Sequence, residues 1–332
     1  MHAEAGSAWL VLDADGVISR WDLARGTCTE VATASVPAEP GHRPWCGHEL
    51  RRRLHAAASG RFAAVVNDFG RLGEVIDLRD GRVTMSLDND GYYEETVPFS
   101  LAFACHRGRD VVIHRTDWNR LDVSDAATGD LLTARGPTSY RSGDPQPEHY
   151  LDYFHGALSV SPDGARVYDD GWFWHPVGIP AAWNLESWLD GNPWESEDGP
   201  TKTEFCDLES WNQAFTWVGS DHVAVYDTGD GDTQACTRVF DVGKAAPSNS
   251  GSTLRAAEVA VLHGPRGRFF SDGTALLSSS DDGLSRWNPI TGECTATLPG
   301  FTPAYYHPAT KELIEVSDSG LRRARLTGAA PG

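Results

Sequence analysis

At 332 residues the chain is long enough for two ordinary domains or for one large all-β ring, and its 40% apolar and 23% charged content excludes a mostly disordered chain. Its 28 basic against 47 acidic residues give a formal charge of -19, a field that repels nucleic acid and anionic membrane surfaces and favours cationic partners.

The first predicted element is a meander over residues 12–31, "LDADGVISRWDLARGTCTEV": an apolar run ends in Asp-Gly, a second ends in Trp-Asp, and a Gly-containing turn leads to a third. The same strand, turn, strand, turn, strand pattern recurs at 62–87, 110–134, 156–188, 214–242, 278–298 and 304–326. Seven copies in 332 residues repeat at about the period of a four-stranded propeller blade. An isolated meander would leave two open faces and two bare edges, and packing the sheets radially buries the faces. The first copy is expected to lack its innermost strand and the last its outermost.

The Trp-Asp dipeptide is intact at Trp21-Asp22, becomes Trp-Asn at Trp183-Asn184 and Trp287-Asn288, and degrades to Ile76-Asp77 and Phe240-Asp241. Between His48 and Ile76 lie 27 residues, and between His263 and Trp287 lie 23, spacings similar to those between the Gly-His and Trp-Asp elements of WD40 repeats. Turns "SPDG" (161–164) and "SDG" (271–273) place Gly where positive φ is needed. On these residues the sequence resembles WD40-repeat β-propellers over nearly all its length. The resemblance implies a single all-β closed propeller over 1–332, with seven blades of up to four antiparallel strands. It also implies a structural hydrogen-bonded set of His263, Ser279, Asp281 and Trp287.

Function is expected where the copies are spaced apart, because a rigid scaffold positions such loops. Three long loops are predicted at 33–47, 135–153 and 189–203. The fourth copy carries "HYLDYFH" (149–155) before its first strand and "DDGWFWHPVGIP" (169–180) between its second and third. A meander reverses at each turn, so these two segments emerge on the same face. The candidate ligand-binding residues are therefore His149, Asp152, Tyr153, His155, Asp170, Trp172, Trp174 and His175, with Trp118 from the corresponding loop of the third copy. Each such loop also has an acid (Asp15, Asp68, Asp117, Asp170, Asp227 with Asp230 and Asp232, Asp282, Asp318), which turn chemistry explains for most. Trp172 and Trp174 share a strand face and serve packing and recognition equally well. The acidic insertion around Trp194 is expected to be a solvated loop on the opposite face.

The reading this favours is a binding module that holds a protein segment or small cationic ligand on the loop face near the fourth copy. One alternative is a propeller enzyme, a metal-assisted hydrolase using the His and Asp residues of that copy; the other is an architectural subunit of a larger assembly. "HYLDYFH" spaces His149, Asp152 and His155 for a metal only if it forms a helical turn, so no metal, no cofactor and no catalytic residue is assigned. The expected partner is a protein or peptide with cationic groups, not nucleic acid or membrane. The six cysteines have no C-x-x-C pair and read as free, buried, small hydrophobes. Without a basic, apolar N-terminal leader or an apolar run of roughly 18 residues, a cytoplasmic location is expected.

Overall fold

The repeated turn has a local cause. In a computed structural model, which describes residues 1–4, 6–39, 47–230, 232–248, 253–318 and 320–326, the Asp or Asn that ends the third strand accepts backbone N–H groups two or three residues on. Asp22 accepts from Ala24 and Arg25, Asp77 from Arg79, Asp125 from Ala127 and Thr128, and Asn288 from Ile290 and Thr291, all at 2.8–3.3 Å. Such side-chain turns reverse the chain at a fixed point, so the repeat survives although the Trp beside it does not. At Asn184 the same bond, to Ser187 N at 2.8 Å, caps a short helix, α1 (Leu185–Asp190).

Between the turns, alternating side chains produce antiparallel meanders. The first comprises His2–Ala3, Trp9–Leu12, Val17–Asp22 and Thr27–Thr33, and the second Arg51–Ala56, Phe62–Asp68, Leu72–Asp77 and Arg82–Asp88. The third has three strands between Leu101 and Asp125. The fourth and fifth, each of four strands, are joined into one eight-stranded sheet by a parallel pairing of Thr203 with Leu254 and Glu204 with Arg255. The sixth has four strands from Arg268 to Pro299 and the last three from Tyr305 to Arg325.

The meanders stand around an axis. One axial cavity of about 730 Å³ is lined from all of them: His2 and Ala3, Ala56, Phe103, Val160, Trp217, Phe270 and His307. Apolar clusters fill the wedges between neighbouring sheets; Leu10, Ile18, Leu54 and Ile76 knit the first to the second, and Val66, Val75, Leu101 and Val112 the second to the third. The two ends of the chain meet. His307 Nε2 lies 3.0 Å from Ala8 O and its ring edge meets Trp9 at 5.1 Å, while Trp9 Nε1 donates to Glu312 at 3.4 Å.

Several expectations are corrected. The first meander has its innermost strand, the two residues His2–Ala3. The 189–203 insertion is not a solvated loop: it contains the end of α1 and α2 (Glu195–Asp198), whose Glu195, Ser196 and Glu197 are buried because Thr201 and Arg135 satisfy the carboxylates. Part of the 33–47 loop, with Cys46, lies outside the described residues. Cys206 is buried, but Cys28 and Cys294 on outer strands and Cys105 are exposed. His263 is exposed, and Trp287 Nε1 donates to Ser278 Oγ at 2.8 Å, so the expected four-residue set does not form. Among the described residues no helix is long and apolar enough to cross a membrane.

Candidate functional site

The reversal argument holds for the two segments of the fourth copy. Tyr153 and Phe154 pair antiparallel with Phe173 and Trp172, and Trp172–Phe173 turns back on Val177–Gly178 in a small hairpin. This hairpin carries aromatic side chains above the sheet. Trp172 is 1% exposed, stacked between Phe154 at 4.4 Å and Trp211 at 4.3 Å, so it packs. Trp174, at the hairpin tip, is 47% exposed and leans on Tyr93 at 4.9 Å.

From this stack an aromatic surface extends across the third copy. Trp118 lies 4.8 Å from Phe154, 5.6 Å from Tyr92 and 6.2 Å from Tyr150, and Tyr150 meets Tyr140 at 5.1 Å. Tyr92, Trp118 and Tyr140 line a cleft of about 650 Å³, together with Asp90, Asp117 and Asp144, three prolines and one cation, Arg141. Exposed Asp152 stands beside two of these rings. Burial chiefly, then neighbouring Tyr93 and Asp152, raises the Tyr92 hydroxyl above its usual pKa, and burial with Asp152 does the same for Tyr150. Asp90, Asp144 and Asp152 make no ion pair among the described residues.

The 135–153 loop that forms one wall is pinned. Asn119 donates to Thr138 O at 2.8 Å and Leu151 O at 3.0 Å, Arg120 to Gly136 O at 2.7 Å, and Ser139 to Asp117 at 2.6 Å. Asp117 also accepts from Trp118 N at 2.7 Å, the turn role expected of these acids.

The remaining sequence candidates separate from this surface. His155 is fully buried, with Nδ1 2.6 Å from Asp169 Oδ2, and has no access to a ligand. Tyr153 is buried, donates to Ile179 O at 3.1 Å and lies under Lys202 at 4.8 Å, and burial pushes its hydroxyl well up. His149 turns the other way, stacking on Trp194 at 4.2 Å and lying 2.9 Å from Asp198 Oδ2. The Trp194 insertion therefore reaches His149's segment, contrary to the expected separation of faces. With no helical turn over 149–155, where His149 lies in a turn and Tyr153–Phe154 in a strand, and with His149 and His155 held by different acids, the metal-binding turn does not form. His175 is exposed beside Trp174 at the hairpin tip. Asp170 is 1% exposed; burial first and then Asp169 push its carboxyl up to about 8. The Asn212 and Gln213 amides near it favour its charged form without reaching hydrogen-bonding geometry.

The sequence candidates, drawn from the fourth copy with Trp118 of the third, leave out Tyr92, Tyr93, Tyr140, Trp211 and, within 149–155 itself, Tyr150. The signal was present in "DGYYEE" (90–95) and in the tyrosines of the 135–153 loop, where a turn requires no aromatic ring.

No family model matches the sequence, and no curated protein is similar to it by sequence. Solved structures are similar in fold. The β-propeller domain of Cps50 (Swd1) from Myceliophteria thermophila matches at TM-score 0.55 and 12% identity, over 98% of this chain and 97% of that one. A chain of the mitotic checkpoint complex matches at 0.56 and 12%, over 98% and 86%. A chain of Kuenenia stuttgartiensis hydrazine synthase matches at 0.56 and 12%, over 98% and 95%. The chain is an all-β protein with the β-propeller fold; at such identity the likeness carries fold and nothing more.

Proposed function

We propose that the protein is a binding module whose loop face holds a protein segment through a Lys or Arg side chain, seated in the cleft between Tyr92, Trp118 and Tyr140. One observation carries this reading: exposed aromatic faces, Tyr92 at 50% and Tyr140 at 45%, stand beside carboxylates, Asp90, Asp144 and Asp152, that make no ion pair among the described residues. A cation entering the cleft gains from the ring quadrupole and from Asp90, Asp144 and Asp152 at once. The pinned 135–153 wall keeps the cleft open before binding, which lowers the ordering cost. That some solved propellers belong to multi-protein complexes is in keeping with a protein partner. The hydrolase alternative draws no support from the geometry, because its histidines are separated and His155 is sealed in the core.

The test is fluorescence polarisation with an array of short peptides bearing Lys or Arg against matched Gln peptides. Lys or Arg peptides should bind saturably and Gln peptides should not. Tyr92→Ala or Trp118→Ala should each cost about 1 to 3 kcal/mol of binding, whereas Asp152→Asn, at an exposed acid, should cost under about 1 and reduce the salt dependence. His149→Ala should leave affinity unchanged. Equal affinity for Gln peptides, or an unaffected Tyr92→Ala, would reject the cleft as a cation site.

A further inference from the structure

On the same face as the aromatic cleft, the axial channel opens into a second cavity of about 840 Å³, and its chemistry has the opposite sign. The innermost strand of the second meander reads "RRRLHA" (51–56), and alternation sends Arg51, Arg53 and His55 into the channel while Leu54 packs in the core and Arg52 turns away to Val36 O. From across the channel Arg268 reaches the same cavity. In a chain of net charge -19, three guanidinium groups thus face one cavity, with exposed Glu49 at its rim.

The arginines are held from behind. Asp68, fully buried, accepts from Arg53 at 3.2 Å, lies 3.6 Å from Arg51 and takes Phe99 N at 3.2 Å. One carboxylate shared by two guanidinium groups leaves positive charge over, and Arg268 has no ion pair among the described residues. Two buried polar groups in the lining also lack hydrogen-bond partners, His55 Nε2 and the Asp170 carboxyl. Buried polar atoms left unsatisfied against a cavity are donors or acceptors in want of an occupant.

We propose that the channel mouth is a binding site for an oxyanion, a carboxylate or phosphate group, held by Arg51, Arg53 and Arg268 with His55 donating from the wall. Guanidinium groups anchored by a buried carboxylate are already oriented for the planar, charge-assisted bonds such a group forms. The site is independent of the aromatic cleft and stands or falls apart from it.

The experiment is calorimetric titration of the protein with inorganic phosphate and, separately, succinate, at constant ionic strength in chloride. Saturable binding of either probe is expected, and which one binds more tightly identifies the group. Arg268→Gln, which breaks no ion pair among the described residues, should weaken binding about tenfold or more at an unchanged melting temperature. Arg82→Gln, on an outer strand, should have no effect. Absence of saturable binding by both probes, or equal affinity in the parent and Arg268→Gln, would overturn the assignment.

Discussion

Replacing Arg135 by alanine is expected to destabilise the protein by about 3 to 5 kcal/mol, because it strands buried Glu197 and removes one of the two guanidinium partners of buried Asp122. The guanidinium is 1% exposed and bridges Asp122 Oδ1 at 2.6 Å to Glu197 Oε1 at 2.5 Å, with further bonds to the carbonyls of Thr133 and Leu121. Burial opposes ionisation of Asp122, but Arg120 and Arg135 together hold its carboxyl below the ordinary value. Glu197 has fewer side-chain hydrogen bonds, among the described residues only that from Ser196 Oγ at 3.1 Å besides Arg135. Denaturant midpoints of Arg135→Ala, Glu197→Gln and the double variant would measure the coupling directly. The double variant should be less destabilised than the sum of the two singles, since Glu197→Gln removes one charge that Arg135→Ala would abandon. A loss below about 1 kcal/mol for Arg135→Ala would show that water reaches the pair.

This bridge also ties structure to the proposed site. Asp122 lies on the third meander, Glu197 on α2 of the fourth, and Arg135 begins the loop that walls the aromatic cleft. A partly folded Arg135→Ala protein should therefore lose peptide binding before it loses sheet structure.

The propeller was legible because its signals are local. An Asp that closes its own turn, and a run that alternates every second residue, do the same work wherever they fall in the chain. The pairing of 153–154 with 172–173 was legible for the same reason, since strand reversal fixes the face of each loop. What could not be read was set by partners remote in sequence. Residues 194–198 look like a solvated acidic loop until Arg135, some sixty positions earlier, is placed against Glu197. His149 and His155 are alike in composition and spacing, yet one meets Asp198 at the surface and the other Asp169 in the core. The basic channel mouth was masked by the net charge, although the alternation of Arg51, Arg53 and His55 was visible in the sequence.

Asp170→Asn is expected to stabilise the protein at alkaline pH and to leave it nearly unchanged in acid. The Asp170 carboxyl sits at about 8 in the folded protein, raised by burial and by Asp169, against 3.8 in an unfolded chain. Between about pH 4 and pH 8 the unfolded chain has released this proton and the folded protein still holds it, so folding stability from this group falls steadily as pH rises. Below that window both states are protonated and the full contribution is present; above it both are ionised and no further loss follows. Asparagine keeps the shape and cannot ionise, so the difference in unfolding free energy between variant and parent should grow from near zero at pH 4 to about 2 to 5 kcal/mol at pH 8. Taking the difference at each pH cancels the titration of groups that are not coupled to Asp170. Denaturant unfolding of both proteins across that range checks the slope. A constant offset at every pH would mean that Asp170 is ionised throughout, satisfied by the Asn212 and Gln213 amides, and a variant less stable than the parent at pH 8 would mean that the buried charge is the favoured form.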